Sequence, residues 1–211
     1  MFEHGPHEVL RRYREPRDTA REVAAMEHAR AGGYPVPAAR ALNDTDIVME
    51  RAEGPTMLVD MMRNPWRMKR HAVTLAMLLD QLHAITAPDW LPSPLGGGTA
   101  LLHLDLHPEN VILTQRGPAV IDWPNAARGP AAADVAHTWV VLACSLPPED
   151  PLKRVVALGG RRLFLALFLR NYSRAELRTH LGAVADYRAV NRTLPPGELE
   201  SIRKVVDRNR S

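Results

Sequence analysis

The densest group of chemically reactive side chains in this 211-residue chain lies between residues 103 and 122. His103, Asp105, His107 and Asn110 fall within eight consecutive residues, and Asp122 follows twelve residues after Asn110. Carboxylate and amide oxygens are ligands of hard divalent cations, whereas imidazole suits transition metals. A carboxylate can also accept a proton from a reacting group. The segment therefore indicates a metal-assisted reaction.

Two chemistries fit this spacing. If residues 103–107 are extended, His103, Asp105 and His107 share one face of a strand and could hold a transition metal, as in a metal-dependent hydrolase. If instead Asp105 and Asn110 lie in a loop and Asp122 ends the next hairpin, the site suits magnesium, which takes few protein ligands and keeps several waters. The spacing alone leaves both alternatives open.

The elements that must position these residues can be read from periodicity and turn residues. Strands are predicted at Glu8–Tyr13, Ala38–Leu42, Asp46–Glu50, 100–106, 110–113 and 119–122. A helix is predicted over Thr19–Ala31 and a core-facing helix within residues 57–85. Mainly helical structure is predicted after Pro130, interrupted at Pro147-Pro148, Gly159-Gly160 and 195–197. The order predicts an α+β protein with a small mixed region first and a helical region second.

The segment around Asp105 resembles a known family. The pattern His103-x-Asp105-x-x-x-x-Asn110 is similar to the catalytic loop of the aminoglycoside-phosphotransferase and choline-kinase group, which is related to the protein kinases. Ile121-Asp122-Trp123 resembles the second metal motif of this group, and Gly129 with Asp134-Val135-Ala136 resembles its continuation. Upstream, Leu82-His83-Ala84 and residues 48–54 resemble the helix before the catalytic loop and the hinge.

The resemblance implies a protein-kinase-like two-lobe α+β fold. It places a small, truncated mixed N-lobe in residues 1–54, with the hinge near residues 48–54, and a mainly helical C-lobe in residues 55–211. The C-lobe would contain the catalytic loop 103–110 and the metal motif 121–123. The activity implied is ATP-dependent phosphorylation of a hydroxyl on a small molecule, with ATP and Mg²⁺ as cofactors.

The resemblance also assigns roles to individual residues. Asp105 would accept the proton of the acceptor hydroxyl, and Asn110 and Asp122 would bind magnesium. Arg11 would pair with phosphate and be held by Glu22, while Met49, Glu50 and Arg51 would line the adenine pocket. Supporting positions are the catalytic-loop histidines and the acid that ties this loop to the helical lobe: His103, His107 and Asp134.

The sequence departs from the family at the phosphate-binding hairpin. Only eight residues precede Val9 and Gly5 is the sole glycine among them, so the glycine-rich lid is expected to be short or absent. Arg11 also stands where a lysine is common, and a planar fork does not position phosphate as a point charge does. The alternative hypotheses are a degenerate kinase that binds nucleotide or a partner without turnover, and the metal-dependent hydrolase.

Charge is distributed unevenly along the chain. From Pro151 onward 13 Lys and Arg stand against five Asp and Glu, which gives this part +8 and the rest −5. Such a surface disfavours a polycationic acceptor, so a neutral or anionic hydroxylated molecule is expected. The basic residues are not interleaved with an aromatic stacking platform, and a nucleic-acid partner is therefore not expected.

The chain is expected to be cytoplasmic. Its longest apolar runs, 139–144 and 163–169, fall short of the roughly 18 residues that span a bilayer, and its first residues lack the order of a secretory signal. The single cysteine, Cys144, lies in an apolar stretch and is expected to be a buried thiol.

Overall fold

A computed structural model describes residues 2–144, 150–190 and 197–209 of the chain. The strands in these ranges are β1 (Phe2–Glu3), β2 (Glu8–Arg12), β3 (Ala39–Ala41), β4 (Asp46–Glu50), β5 (Ala100–Leu102), β6 (Val111–Thr114), β7 (Gly117–Val120) and β8 (Ala127–Gly129). The helices are α1 (Thr19–Ala31), α2 (Met57–Arg63), α3 (Met68–His83), α4 (Ala131–Cys144), α5 (Pro151–Leu169), α6 (Arg174–Ala189) and α7 (Glu198–Arg208).

The first sheet has four antiparallel strands in the order β1-β2-β4-β3. Helix α1 connects β2 to β3 and packs on the sheet through a small apolar cluster of Val23, Ile47 and Met49. Its bounds are those predicted from the sequence, because Asp18 accepts the backbone N–H of Arg21 at its start and a glycine pair follows its end. The sheet and α1 together form the mixed region expected at the start of the chain.

The predicted helical stretch 57–85 is divided in two. Helix α2 ends at Arg63, a short 3-10 helix follows over Pro65–Arg67, and α3 begins at Met68. The residue before a proline is disfavoured in the helical region, and Asn64 accordingly adopts φ −132° and ψ 67°. The buried carboxylate of Asp60 stabilises the break because it accepts hydrogen bonds from Asn64 (3.0 Å) and His71 (2.7 Å).

Two short antiparallel pairs carry the segment around residue 105. Strand β5 pairs with β8, and β6 forms a hairpin with β7 from Val111 opposite Val120 to Thr114 opposite Gly117. The predicted strand 100–106 is shorter than expected: β5 ends at Leu102, and Leu104 has φ 53°, which is incompatible with an extended strand. Residues 103–107 are therefore a loop.

The remaining helices enclose the main core. Leu75, Leu79 and Leu82 of α3 are fully buried, as their spacing predicted. Helices α6 and α7 both pack on α4, which ends at the buried Cys144. A predicted break at Gly159-Gly160 is wrong, since α5 continues through both glycines. The break predicted at Pro147-Pro148 lies outside the described residues. Of the break predicted at 195–197 only Gly197 is described, and it directly precedes α7.

Within the described residues, no helix is both long and apolar enough to cross a membrane.

Candidate active site

An arginine on the first sheet contacts the carboxylate of the second motif. Arg11 on β2 donates from Nη2 to Oδ1 of Asp122 at 2.6 Å, and its Nη1 lies 3.5 Å from Oε1 of Glu22 on α1. Burial disfavours the charge on Arg11, but the Asp122 carboxylate outweighs it, and the pKa of Arg11 is raised. Residues from β2, α1 and the segment after β7 thus form one charged cluster.

Tyr13 completes this cluster and was not identified from the sequence. Its hydroxyl donates to Oε2 of Glu22 at 2.7 Å, and its ring lies 4.6 Å from the guanidinium carbon of Arg11. Burial raises the pKa of Glu22, while the hydroxyl of Tyr13 and the charge of Arg11 oppose that rise. The predicted strand Glu8–Tyr13 already placed Tyr13 on the same face as Arg11, because side chains two residues apart point to the same side of a strand.

The loop after β5 holds its own carboxylate and amide together. The Asn110 side-chain amide donates to the backbone carbonyl of Asp105 at 3.0 Å and lies 3.5 Å from Oδ2 of the same residue. The ring of His107 donates from Nδ1 to that carbonyl at 2.7 Å. Because the amide nitrogen of Asn110 faces Asp105, its amide oxygen is presented on the other side, where a hard cation could bind.

The β6–β7 hairpin brings Asn110 and Asp122 to one place. Asn110 directly precedes β6, and its backbone carbonyl accepts a hydrogen bond from the N–H of Ile121 at 3.0 Å. Asp122 follows Ile121, so Asn110 and Asp122 both lie at the open end of the hairpin. Asp122 has φ 71°, in the left-handed region that costs a non-glycine residue energy. This strained turn coincides with the contact to Arg11.

Asp134 on α4 fixes the backbone of the same loop. Its fully buried carboxylate accepts the N–H groups of His103 (3.0 Å) and Leu104 (2.9 Å) and also bonds Nε2 of His83 at 3.0 Å. Burial would raise the pKa of Asp134, but these donors, led by His83, lower it overall. The carboxylate of Asp134 therefore remains charged and connects α4 to the end of α3 and to the loop after β5.

The ring of His103 is buried and contacts the segment that carries Asp122. Its Nε2 lies 3.2 Å from the backbone carbonyl of Ile121, and its ring packs against Trp123 at a centroid distance of 4.8 Å. Complete burial lowers the pKa of His103, so the ring is neutral at physiological pH. The side chain links the loop before Asp105 to the segment that carries Asp122.

The surroundings of Asp105 make its carboxylate more basic than that of an exposed aspartate. Burial raises the pKa of Asp105, and the charge of Asp122 adds to the rise, while His107 and His103 oppose it. His107 is itself held by Glu109, with Nε2 and Oε2 3.5 Å apart, and its pKa is raised despite burial. A more basic carboxylate is a better proton acceptor.

The three predicted hinge residues differ in their surroundings. Met49 is buried in the cluster beneath the first sheet. The side chain of Glu50 pairs with Arg116 at 2.5 Å, and that of Arg51 pairs with Glu3 at 3.2 Å. Both charged side chains are therefore engaged in ion pairs.

The face required by the hydrolase alternative is not formed. Residues 103–107 are not a strand, and His103 and His107 bond different backbone carbonyls, those of Ile121 and Asp105. Among the described residues, no three or more His, Cys, Asp or Glu side chains are grouped to hold a metal ion. The predicted three-ligand transition-metal site is therefore wrong.

The comparisons with known proteins agree with this geometry. The chain belongs to the phosphotransferase enzyme family, whose APH model matches residues 58–179, more than half of the chain. The family predicted from the sequence motifs is thus confirmed.

The individual proteins that resemble this chain match it over a short segment or at low sequence identity. Thiamine kinases of several Salmonella strains, among them Salmonella newport SL254, are 43% identical over 49 residues, which is 23% of this chain and 17% of theirs. An ethanolamine kinase from Plasmodium vivax superposes with a TM-score of 0.56 at 13% identity, covering 96% of this chain and 75% of that one. A macrolide 2′-phosphotransferase from Brachybacterium faecium gives 0.49 at 19% identity, covering 98% and 86%. The likeness to the ethanolamine kinase confirms the predicted kinase-like α+β fold.

Proposed function

We propose that this protein transfers the γ-phosphoryl group of ATP to a hydroxyl of a small molecule. One observation carries the proposal: Asp105, a half-buried carboxylate of raised pKa, lies beside Asn110, and Asn110 shares the end of a hairpin with Asp122, which contacts Arg11. Phosphoryl transfer needs positioning and charge neutralisation more than covalent help from the protein. This set of side chains supplies both.

Each residue has one task in the proposed reaction. Asp105 accepts the proton of the acceptor hydroxyl and orients its oxygen. Asn110 and Asp122 hold Mg²⁺, which would neutralise charge on the phosphates. Arg11, supported by Glu22, pairs with phosphate oxygens. The family membership supports phosphotransfer, and these individual roles belong to the proposal.

The supporting residues and the division into lobes follow from the same proposal. His103 and Asp134 hold the loop in shape, and His107 steadies the backbone of Asp105. Residues 1–54 form the lobe that covers the nucleotide and residues 55–211 the lobe that carries the reaction. The hinge segment 48–54 binds adenine through its main chain, with Met49 behind it and Glu50 and Arg51 beside it.

The direct test is ADP release with a panel of hydroxylated molecules and magnesium. Asp105→Asn should lower kcat by about 10²–10⁴-fold, because the general base is lost, and should leave binding of the magnesium complex of AMP-PNP unchanged. Asp89→Asn is the matched control, since Asp89 is 97% exposed and pairs only with Arg128 among the described residues. This control should keep full activity.

Three results separate the alternatives. Turnover that depends on Asp105 supports the kinase. Nucleotide binding without turnover in the wild type would instead support the degenerate kinase. Equal turnover in wild type and Asp105→Asn would remove Asp105 from the mechanism.

A further inference from the structure

The ring of Tyr13 in the charged cluster contacts a second guanidinium besides that of Arg11. The guanidinium carbon of Arg17 lies 4.1 Å from the centroid of this ring, and that of Arg11 lies 4.6 Å from it. The two carbons therefore cannot be farther apart than the sum of these distances. Because Nη2 of Arg11 is 2.6 Å from Asp122, Arg17 lies one aromatic ring away from the proposed phosphate site.

The backbone of Arg17 is held on both sides. Its N–H donates to the backbone carbonyl of Asp44 at 2.8 Å, and its carbonyl accepts a hydrogen bond from the N–H of Thr19 at 2.8 Å. Thr19 begins α1, and its hydroxyl donates to the backbone carbonyl of Asn43. The segment between β2 and α1 thus presents the side chain of Arg17 from a fixed backbone, and stacking on Tyr13 limits its rotamers. A side chain that is already ordered loses less conformational entropy when it binds a ligand.

The two arginines differ in the carboxylates that they contact. Arg11 pairs with Asp122 at 2.6 Å and lies 3.5 Å from Glu22. Arg17 is exposed and forms no ion pair among the described residues, although its charge lowers the pKa of Glu22 against the larger effect of burial. The guanidinium of Arg17 is therefore the cation of this group that can bind an anionic ligand without giving up an ion pair.

We infer that Arg17, stacked on Tyr13, binds the phosphate chain of the nucleotide together with Arg11. The inference rests on the proposed function and adds a second phosphate-binding residue to it. A guanidinium forms charge-assisted hydrogen bonds to phosphate oxygens, and stacking on a ring leaves the N–H groups at its edge available. Two neighbouring arginines also repel each other, and a polyanion bound by both relieves that repulsion.

The experiment measures how nucleotide affinity depends on phosphate. Calorimetric titration gives dissociation constants for the magnesium complexes of AMP-PNP and ADP, and for adenosine, which has no phosphate. ADP release gives kcat, KM for ATP and KM for each hydroxylated acceptor that is turned over. Thermal denaturation followed by circular dichroism checks that each variant is folded.

Arg17→Gln should raise the dissociation constant of the AMP-PNP complex and KM for ATP by about 10-fold, as expected for loss of one charge-assisted hydrogen bond from an exposed side chain. The affinity for adenosine and KM for the acceptor should not change, and Arg17→Lys should recover part of the loss. Arg14→Gln is the matched control and should behave as wild type. Arg14 is exposed in the same segment and loses the same charge, but it contacts no ring or carboxylate among the described residues.

Two variants of Tyr13 test the stacking. Tyr13→Phe and Tyr13→Leu both lose the hydroxyl that donates to Glu22, but only Tyr13→Phe keeps an aromatic ring. Arg17→Gln should therefore keep its effect of about 10-fold in the Tyr13→Phe background and lose most of it in the Tyr13→Leu background. Equal effects of Arg17→Gln in the two backgrounds would overturn the stacked arrangement.

The outcomes distinguish this inference from the kinase proposal. Binding of AMP-PNP that depends on Arg17 but occurs without ADP release from any acceptor would overturn the kinase proposal alone. ADP release with an unchanged KM for ATP in Arg17→Gln would overturn the inference alone. An equal loss of affinity for adenosine and for AMP-PNP would also overturn it, because Arg17 would then support the shape of the site and not bind phosphate.

Discussion

At the scale of single residues, the ionised form of Asp105 is disfavoured by its surroundings. Its pKa is raised in the folded protein, first by burial and then by Asp122. A carboxyl group with a raised folded pKa stabilises the fold while it is protonated, and that contribution is lost as pH rises through the folded pKa. At neutral pH the ionised side chain of Asp105 therefore lowers the free energy of unfolding. The same raised pKa makes this carboxylate a better proton acceptor.

We expect Asp105→Asn to be more stable than wild type near neutral pH in the absence of ligand. The melting temperature should rise by about 2–4 °C for each kcal/mol recovered, and the difference should disappear in acid, where Asp105 is protonated in both folded and unfolded chains. Thermal denaturation followed by circular dichroism between acid and neutral pH measures this. An Asp105→Asn variant less stable than wild type at neutral pH would contradict the reasoning, and Asp89→Asn should show no gain.

At the scale of elements, α4 and residues 54–56 hold the loop at residues 103–110 and the β6–β7 hairpin in place. Asp134 bonds two consecutive N–H groups of the loop. At the other side, Pro55 and Thr56 pair with β6, and Gly54 approaches Leu113 so closely that an added Cβ would meet its carbonyl oxygen at 2.0 Å. The first attachment joins a side chain to the main chain, and the second joins main chain to main chain.

We expect Asp134→Asn to lose about 1–3 kcal/mol of unfolding free energy, because one amide oxygen cannot replace two carboxylate oxygens that accept buried N–H groups. The pKa of Asp134 is lowered in the fold, so its contribution is present above the unfolded pKa and lost as pH falls through the folded value. Urea denaturation at neutral and acid pH should show the difference shrinking in acid. A constant difference at all pH values would refute a role for the charge.

We expect Gly54→Ala to lose about 2–4 kcal/mol, because the new methyl group meets the backbone of β6 and the residue has φ 152°. Gly182→Ala is the matched control: Gly182 lies inside α6 with open space around its Cα, and alanine there should add about 0.5–1 kcal/mol. Urea denaturation measures both variants. Equal stability of the two variants would show that the fold does not depend on the close approach of Gly54 to Leu113.

At the scale of the whole molecule, the first sheet and the helical part meet through charges. Arg11 and Asp122 are 111 residues apart in the sequence, and their contact is mostly buried, with 17% and 32% of the two side chains exposed. A magnesium nucleotide bound here would contact both partners and so connect the two parts of the chain. Ligand binding should therefore stabilise the entire molecule.

We expect the magnesium complex of AMP-PNP, at about 100 times its dissociation constant, to add about 2.7 kcal/mol and raise the melting temperature by about 5–10 °C. The increase should vanish when EDTA removes the metal and should be much smaller in Asp122→Asn. Asp44→Asn, on the exposed turn between β3 and β4, should keep the full increase. An unchanged increase in EDTA would show that nucleotide binds without the proposed metal.

The sequence by itself determined the local features. Capping residues and spacing gave the bounds of α1 and β4, the leucine periodicity gave the buried face of α3, and the motifs around Asp105 and Asp122 gave the family. Each of these depends on residues that are close in the sequence, where periodicity, capping and turn chemistry act directly.

Only the tertiary structure decided the long-range contacts. The pairing of Arg11 with Asp122 and the bonds from Asp134 to the backbone of His103 and Leu104 each join elements far apart in the chain. At Leu104 a positive φ replaces the predicted strand, because Asp134 accepts a hydrogen bond from its buried N–H. At Asn64 the predicted helix is interrupted, because Asp60 accepts a hydrogen bond from the Asn64 side chain. Local pattern specifies elements, whereas packing and buried polar contacts select how they meet.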